Sequence, residues 1–315
     1  MVFFDKNRLM EIAKTSPYLK NRTRALKGLI EQGAHPEIAE VAMFGNHADV
    51  RRAAVNYFSK AERWDFANWL RRIALDSNFP STQLYAVNVL GDFASRKRSG
   101  VIRAVFALRS ILSRGNEEIV EHTKWQLGRI GRHGPLEARM QAIDLLGKSS
   151  DARSLARIVE RGEFSESRKL ALEKLFGLEK QVVSEHLQRA ITRSKHADTA
   201  REIFNWFLRN QDYAGQAKAG MYSKIKEIRL AAVDELKRSG RTRELVHVAT
   251  RGNFRDASAR ALRAAVRMGG VQALRAIEKR PSTKLPASEL EALREKAAMF
   301  PRFRQRQLPL RFKRR

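Results

Sequence analysis

The run Asp49-Val50-Arg51-Arg52-Ala53-Ala54-Val55 returns far along the chain as Glu227-Ile228-Arg229-Leu230-Ala231-Ala232-Val233. In both, an acid stands two residues before an arginine, and small or branched apolar residues follow at helical spacing. Two weaker copies lie between them, Ala138-Arg139-Met140-Gln141-Ala142-Ile143 and Ser167-Arg168-Lys169-Leu170-Ala171-Leu172. Aligning the arginines gives Arg22, Arg51, Arg139, Arg168, Arg201 and Arg229, with steps of 29 (22 to 51), 29 (139 to 168), 33 and 28. The interval of 88 from Arg51 to Arg139 is close to three periods, and Gln83 stands near one of the missing positions. Ser258 follows Arg229 by 29, and a further helix from Glu289 to Phe300 puts Ala292 about one period past Ala261. A self-similar period of this size predicts stacked supersecondary units, not a single globular core.

Working outward, apolar residues recur at three- and four-residue spacing almost everywhere, and no sustained alternation appears. The chain therefore reads as all-α. Leu245, Val246 and Val248 are followed by the polar turn Arg251-Gly252-Asn253-Phe254-Arg255-Asp256, after which Ala261, Leu262, Ala265 and Val266 line the next helix. Asp256 is expected to cap that helix, and Gly269-Gly270 to end it. The same plan fits Ile38 to Phe58, Leu155 to Phe176, Val182 to Leu208, and Ile225 to Leu236. Between Arg98 and Gly147 three helices are predicted, at 100–113, 117–132 and 135–147, so one of them is unpaired there. The fold expected is an α-solenoid of about nine to ten helix pairs over residues 1–300, followed by a basic C-terminal arm at 301–315.

The repeating unit, a short helix, a turn carrying Asp or Glu, then arginine and an alanine-rich second helix, resembles HEAT and HEAT-like (PBS-lyase-type) repeats. Ala142-Ile143-Asp144-Leu145-Leu146-Gly147-Lys148-Ser149-Ser150-Asp151 looks like the end of one such repeat and the turn into the next. The resemblance covers most of residues 6–300. It implies architecture and leaves function open, since such repeats scaffold proteins, RNA and DNA alike.

The charge balance narrows the partner. Among 315 residues, 62 are lysine or arginine and 34 are acidic, a formal net charge of +28. Self-repulsion on that scale is offset by a polyanion, and nucleic acid is the usual one. There is no cysteine, which excludes disulfides, thiol catalysis and zinc–cysteine sites and fits a reducing compartment. The opening Met1-Val2-Phe3-Phe4-Asp5-Lys6 is too short an apolar run for a signal peptide, and no stretch is apolar enough to span a membrane. A soluble, cytoplasmic monomer without membrane contact is expected.

Two roles compete for the repeated arginines. They can line one face and grip phosphates, because the planar guanidinium fork suits phosphate oxygens. The HEAT-like resemblance implies instead a ladder with the turn acids, Asp49 with Arg51 or Arg52 and Glu166 with Arg168. The remaining basic residues cluster: Arg96-Lys97-Arg98 with Arg103; Lys224 and Lys226, then Lys237, Arg238, Arg241 and Arg243; and Arg251 with Arg255. Turns stacked along one edge would align them into a stripe. The C-terminal segment adds Arg302, Arg304, Arg306, Arg311, Lys313, Arg314 and Arg315, with Phe303 and Phe312 available to stack on bases. Within it, Gln307-Leu308-Pro309-Leu310-Arg311-Phe312 loosely resembles the peptide by which bacterial partners dock on the sliding clamp. The nucleic-acid-binding residues expected are thus Arg51, Arg52, Arg168, Arg229 and these clusters.

Catalytic patterns are weak. Trp64, Trp69, Trp125 and Trp206 read first as packing, and as a base-stacking platform second. Asp65 beside Trp64 and Trp69, and Asp212 after Trp206, resemble the tryptophan and carboxylate pattern of HEAT-like glycosylases for alkylated purines, but no motif maps residue by residue. The seven histidines are scattered without a His-Glu-x-x-His pair, and there is no phosphate loop or serine elbow. No catalytic residue, metal or cofactor is assigned. The function expected is non-catalytic binding of nucleic acid, DNA or RNA; the alternatives are a protein-interaction scaffold for acidic partners and a glycosylase-like repair protein.

Overall fold

The computed structural model describes residues 5–60, 65–96 and 100–278, with Glu291 and Glu295 beyond them. Among these residues the chain is all-helical, with no strand. The helices are α1 (Lys6–Thr15), α2 (Leu19–Glu31), α3 (His35–Phe44), α4 (Ala48–Lys60), α5 (Phe66–Asp76), α6 (Pro80–Ser95), α7 (Val101–Arg114), α8 (Glu117–His133) and α9 (Leu136–Lys148). They continue as α10 (Ala152–Arg161), α11 (Ser165–Phe176), α12 (Lys180–Arg193), α13 (Ala197–Arg209), α14 (Tyr213–Tyr222), α15 (Lys226–Arg238), α16 (Thr242–Arg251) and α17 (Arg255–Glu278). The chain forms two compact units, residues 1–186 and 187–315, with the boundary inside α12.

Local signals set the helix ends. Asp5, Asn116, Asp151 and Asp212 each cap a helix, their side chains accepting from backbone N–H groups of the first turn. Gly45, Gly115, Gly134, Gly162 and Gly252 terminate helices in extended conformation. The apolar stripe then decides the face that is buried: α10 turns Leu155, Ile158 and Val159 inward while Arg153 and Arg161 stay exposed.

From α1 to α11 each helix packs on its chain neighbour and on the helix two along. α1, α3, α5, α7, α9 and α11 contact in succession, and so do α2, α4, α6, α8 and α10. In the second unit α14 meets α16, and α13 meets α15, which meets α17.

The repeated arginine makes the joint between these pairs. Arg22, Arg51, Arg139, Arg168 and Arg229 occupy the fourth position of α2, α4, α9, α11 and α15, and all are buried, at 5–7% exposure. Each guanidinium donates from Nη1 to the carbonyl of the residue that ended the preceding helix: Ser16, Gly45, Gly134, Gly162 and Ser223, at 2.7–3.0 Å. It thereby satisfies a carbonyl that the helix end leaves orphaned. Three of them also lie against an aromatic ring at the start of a later helix, Arg51 on Phe79 at 3.6 Å, Arg139 on Phe164 at 3.5 Å and Arg229 on Phe254 at 3.8 Å. Gln83 and Ser258 hold the same position in α6 and α17 and do the same work in smaller form, donating to the Leu75 and Val248 carbonyls.

The acidic partners differ from the expected ladder. Asp49 pairs with Arg22 at 2.7 Å, one helix pair back, and Asp256 pairs with Arg229 at 2.8 Å. The bond reaches 27 residues along the chain, so it ties one helix pair to the next. Asp256 is the second residue of α17, not the residue before it; besides the Arg229 bond it accepts from Ala257 N at 2.7 Å. Arg201 also leaves the column: in α13 the fourth position is Ala200, which is buried, while Arg201 is exposed.

Two further expectations meet the structure. The three helices between Arg98 and Gly147 are present as α7, α8 and α9, and α7 is the one that breaks the phase. The arginine-bearing position lies on α2, α4 and then α6, but after α7 it lies on α9 and α11. Gly269-Gly270 does not end α17, which runs on to Glu278. Glycine in a helix interior costs about 1 kcal/mol. Burial of Ala264, Ala265, Val266 and Ala273 against α16 outweighs that, and the approach is close, since a Cβ on Gly269 would lie 2.7 Å from Thr242 Cγ2. The helix expected at 289–300 and the arm at 301–315 lie outside the described residues, Glu291 and Glu295 apart.

Candidate nucleic-acid interface

The sequence-predicted residues divide into three sets. Arg51, Arg168 and Arg229 are buried in the joints just described, their forks committed to carbonyls, so no grip on phosphate is assigned to them. Lys97, Arg98, Arg302, Arg304, Arg306, Arg311, Arg314 and Arg315 lie outside the described residues, as do Trp64 and the clamp-like hexapeptide. The others are exposed: Arg52, Arg96, Lys224, Lys226, Lys237, Arg238, Arg241, Arg243, Arg251 and Arg255.

The exposed set of the second unit forms two groups, not one stripe. The turn before α17 is bound to the last turn of α14 by a bond from Asn253 N to Met221 O of 3.0 Å, which brings Lys224 and Lys226, just beyond α14, to the same edge as Arg251 and Arg255. Lys237, Arg238, Arg241 and Arg243 sit at the opposite end of α15, roughly 16 Å away along the helix. Some of these are already engaged: Arg238 pairs with Glu235 at 2.6 Å, and the Arg241 guanidinium lies 3.7 Å over the Tyr213 ring. A cleft of about 280 Å³ between α15 and α17 is lined by Lys237, Arg260, Arg263 and Arg267, and Arg260 there holds Asp234 through both oxygens at 2.7–2.8 Å.

A further positive site lies in the first unit, where α8 and α10 lie side by side. Gly128 faces Ser154 and Gly131 faces Ile158, so the two helices run in the same direction. A Cβ on Gly131 would stand 2.6 Å from Ile158 Cδ1, so any larger residue there displaces the end of that side chain. One face of α8 reads Glu118, His122, Trp125, Arg129, Arg132, at spacings of three and four; one face of α10 reads Arg153, Arg157, Arg161. The close packing sets the arginines of the two faces against each other.

Electrostatics registers the crowding. Burial, then the charges of Arg161, Arg157 and Arg129, push the Arg132 guanidinium below its ordinary value. Arg129 pairs with Asp92 on α6 at 2.5 Å, and Arg161 lies 4.0 Å from Glu160. Among the described residues Arg132, Arg153 and Arg157 have no carboxylate within ion-pair distance; Arg132 Nε donates to the Gly128 carbonyl at 3.1 Å. An anion seated here relieves repulsion that the fold otherwise carries.

Beside the arginines opens a cavity of about 460 Å³, lined by Trp125, His122, Arg153, Arg157, Glu118 and Asp151 among others. Trp125 is 45% exposed, whereas Trp206 is buried and Trp69 half-buried. His122 stacks on Trp125 with ring centroids 5.7 Å apart. Burial and Arg129 lower the His122 pKa against the opposing pull of Glu118, so the ring is neutral near pH 7. Its Nε2 lies 2.8 Å from Asn88 Oδ1, an acceptor, which places the proton on Nε2.

None of Arg129, Arg132, Arg153, Arg157 and Arg161 stands out in the sequence. Their signal is the spacing of i, i+4, i+8 on α10 beside the paired glycines of α8. Of the two carboxylates weighed for glycosylase chemistry, Asp65 is half-buried just before α5, and Asp212 caps α14 by accepting from Gly215 N at 2.8 Å and also accepts from Gln188. No group of three metal-ligating side chains occurs among the described residues, and no described helix is long and apolar enough to cross a membrane. Searched against known proteins, the chain matches no family model and no curated sequence.

Proposed function

We propose that the chain is built of HEAT-like α-solenoid repeats and binds nucleic acid, without catalysis, through arginines displayed on its helix faces. The observation that carries this reading is the close packing of α8 on α10, which gathers Arg129, Arg132, Arg157 and Arg161; burial first, and the three neighbouring charges after it, lower the Arg132 guanidinium. A surface kept only for solubility intersperses its signs; guanidinium groups are packed together where an anion is to be received. The repeat reading is supported by the recurring arginine joint and by the stacking of alternate helices within each unit. Backbone charge dominates such binding, so affinity is expected to depend steeply on salt and little on sequence.

The test is fluorescence anisotropy of the full chain with duplex DNA, single-stranded DNA and structured RNA of matched length over a salt series. The double variant R132E/R157E should lower affinity for every bound form and flatten the log–log salt slope by about one for each phosphate it no longer touches. A slope that the double variant leaves unchanged removes this surface from the reading.

A further inference from the structure

We infer that the groove between α8 and α10 is a nucleotide site that takes an unpaired base on Trp125 and its phosphates on the arginines beyond it. The inference rests on the nucleic-acid reading above and adds to it the form of nucleic acid: single strands or loops, not blunt duplex.

The charges along the groove are ordered. Gly128 lies against Ser154 and Gly131 against Ile158, so α10 begins level with the third turn of α8 and the two helices end together. The first two turns of α8 bring Glu118 and Glu121 to the cavity wall, and Asp151 joins them from the start of α10; Asp151 is occupied in capping α10 and Glu121 in pairing with Lys124. The last turns bring Arg129, Arg132, Arg157 and Arg161. A phosphate is repelled at the first end and attracted at the second. A base is suited to the first end, since carboxylates accept from exocyclic amino groups while an indole offers its face. Trp125 stands between the two ends, seven residues before Arg132 on the same face, a rise of about 10 Å.

Exposure of one tryptophan is by itself ordinary. Here three observations accompany it: the ring lines a cavity of about 460 Å³, which is in the range of small-molecule sites; its neighbour His122 is neutral and stacked; and Arg153 and Arg157 share the cavity wall. The ring is also fixed from below. His122 and Gln126, which flank Trp125 along α8, both bond Asn88 Oδ1 of α6 and so tie this turn of α8 to its neighbour. Stacking on a preorganised ring costs little ordering. In a duplex the base faces are already stacked on each other, so the indole has nothing to receive, and only phosphate contact remains.

The experiment compares the full chain with W125A and W125F on four probes: a single-stranded oligonucleotide, a blunt duplex, an abasic sugar-phosphate strand of equal length, and heparin. The expected result is that W125A loses about ten- to a hundredfold in affinity for the single strand, the contribution of one stacked base. W125F should retain most of it, and binding to duplex, abasic strand and heparin should not change. Indole emission should be quenched by the single strand in the wild type and not in W125F. Because Trp125 is exposed, circular dichroism of W125A should match the wild type. Equal losses on all four probes, or none on any, overturn the base site while leaving charge-driven binding of nucleic acid standing. Heparin bound as tightly as every nucleic acid overturns both.

Discussion

Removing one joint arginine separates architecture from binding, and Arg229→Ala is the most informative choice. The side chain holds three partners: the Ser223 carbonyl at 3.0 Å, Asp256 at 2.8 Å and the Phe254 ring at 3.8 Å. Ser223 is fully buried, so its carbonyl is stranded, at a cost of about 1–3 kcal/mol. The desolvated cation–π contact contributes about 1–2 kcal/mol. The ion pair, with Asp256 still partly exposed, adds about 1 kcal/mol. These contributions share one side chain and do not add fully, so a loss of about 3 kcal/mol is expected. Arg201→Ala, at an exposed position outside the joint, should cost less than about 0.5 kcal/mol. A chain of two compact units is not bound to a single unfolding transition, so the assay is native-state hydrogen exchange, read at the amides of α14 to α17. R229A should lose protection there while its affinity for nucleic acid, measured where the protein remains folded, holds. Equal exchange in R229A and R201A would refute the joint. A binding loss in R229A greater than in R132E/R157E would return the buried arginines to the interface.

Three further outcomes follow from the same geometry. Gly131→Ala places a Cβ against Ile158 and should cost about 1–3 kcal/mol; by parting α8 from α10 it should also weaken the groove's hold on a single strand, read by anisotropy. Burial raises the Asp256 carboxyl, but hydrogen bonds from Arg229 and Ala257 outweigh it and hold the group below its ordinary value; stability from this pair is therefore complete above about pH 4 and lost as pH falls through the lower folded value. Asp256→Asn should flatten that acid limb in a pH series of chemical denaturation. Deleting residues 301–315 should lower affinity for polyanions and flatten the salt slope with helical content per residue unchanged, and an unaltered slope would refute a role for the arm.

Periodicity made the helices legible, including the odd one: 100–113, 117–132 and 135–147 fall within one residue of α7, α8 and α9. It did not fix the ladder, because Asp49 stands beside Arg51 in sequence while its hydrogen-bonding partner, Arg22, is 27 residues away. Nor did it fix the register at α13, where uneven steps of 33 and 28 on either side of Arg201 conceal that Ala200 holds the buried position. The groove was the least legible part. Arg129 and Arg132 read as one ordinary helix face and Arg153, Arg157 and Arg161 as another. Only the packing of α8 on α10 joins them, with Gly128 and Gly131 at the contact.

Burial also sets how far net charge can be read as contact. A formal charge of +28 suggests many contacts with an anion, yet the joint arginines are buried. Their charge is nevertheless not erased. The partners of Arg139 are the Gly134 carbonyl and the Phe164 ring, neither of which carries a formal charge. Buried charges are screened less than exposed ones, so such residues raise the potential over the whole unit. Two quantities should then diverge. The equilibrium salt slope counts only phosphates touched, and four groove arginines contribute about −3.6 to it for a duplex, at about −0.9 per phosphate, beside the share of the arm. The association rate responds to the whole field and should fall with salt more steeply than four charges account for. Variants of exposed arginines should change slope and rate together; the rate measured at low salt should exceed that of a carrier with the same surface arginines and no charged interior.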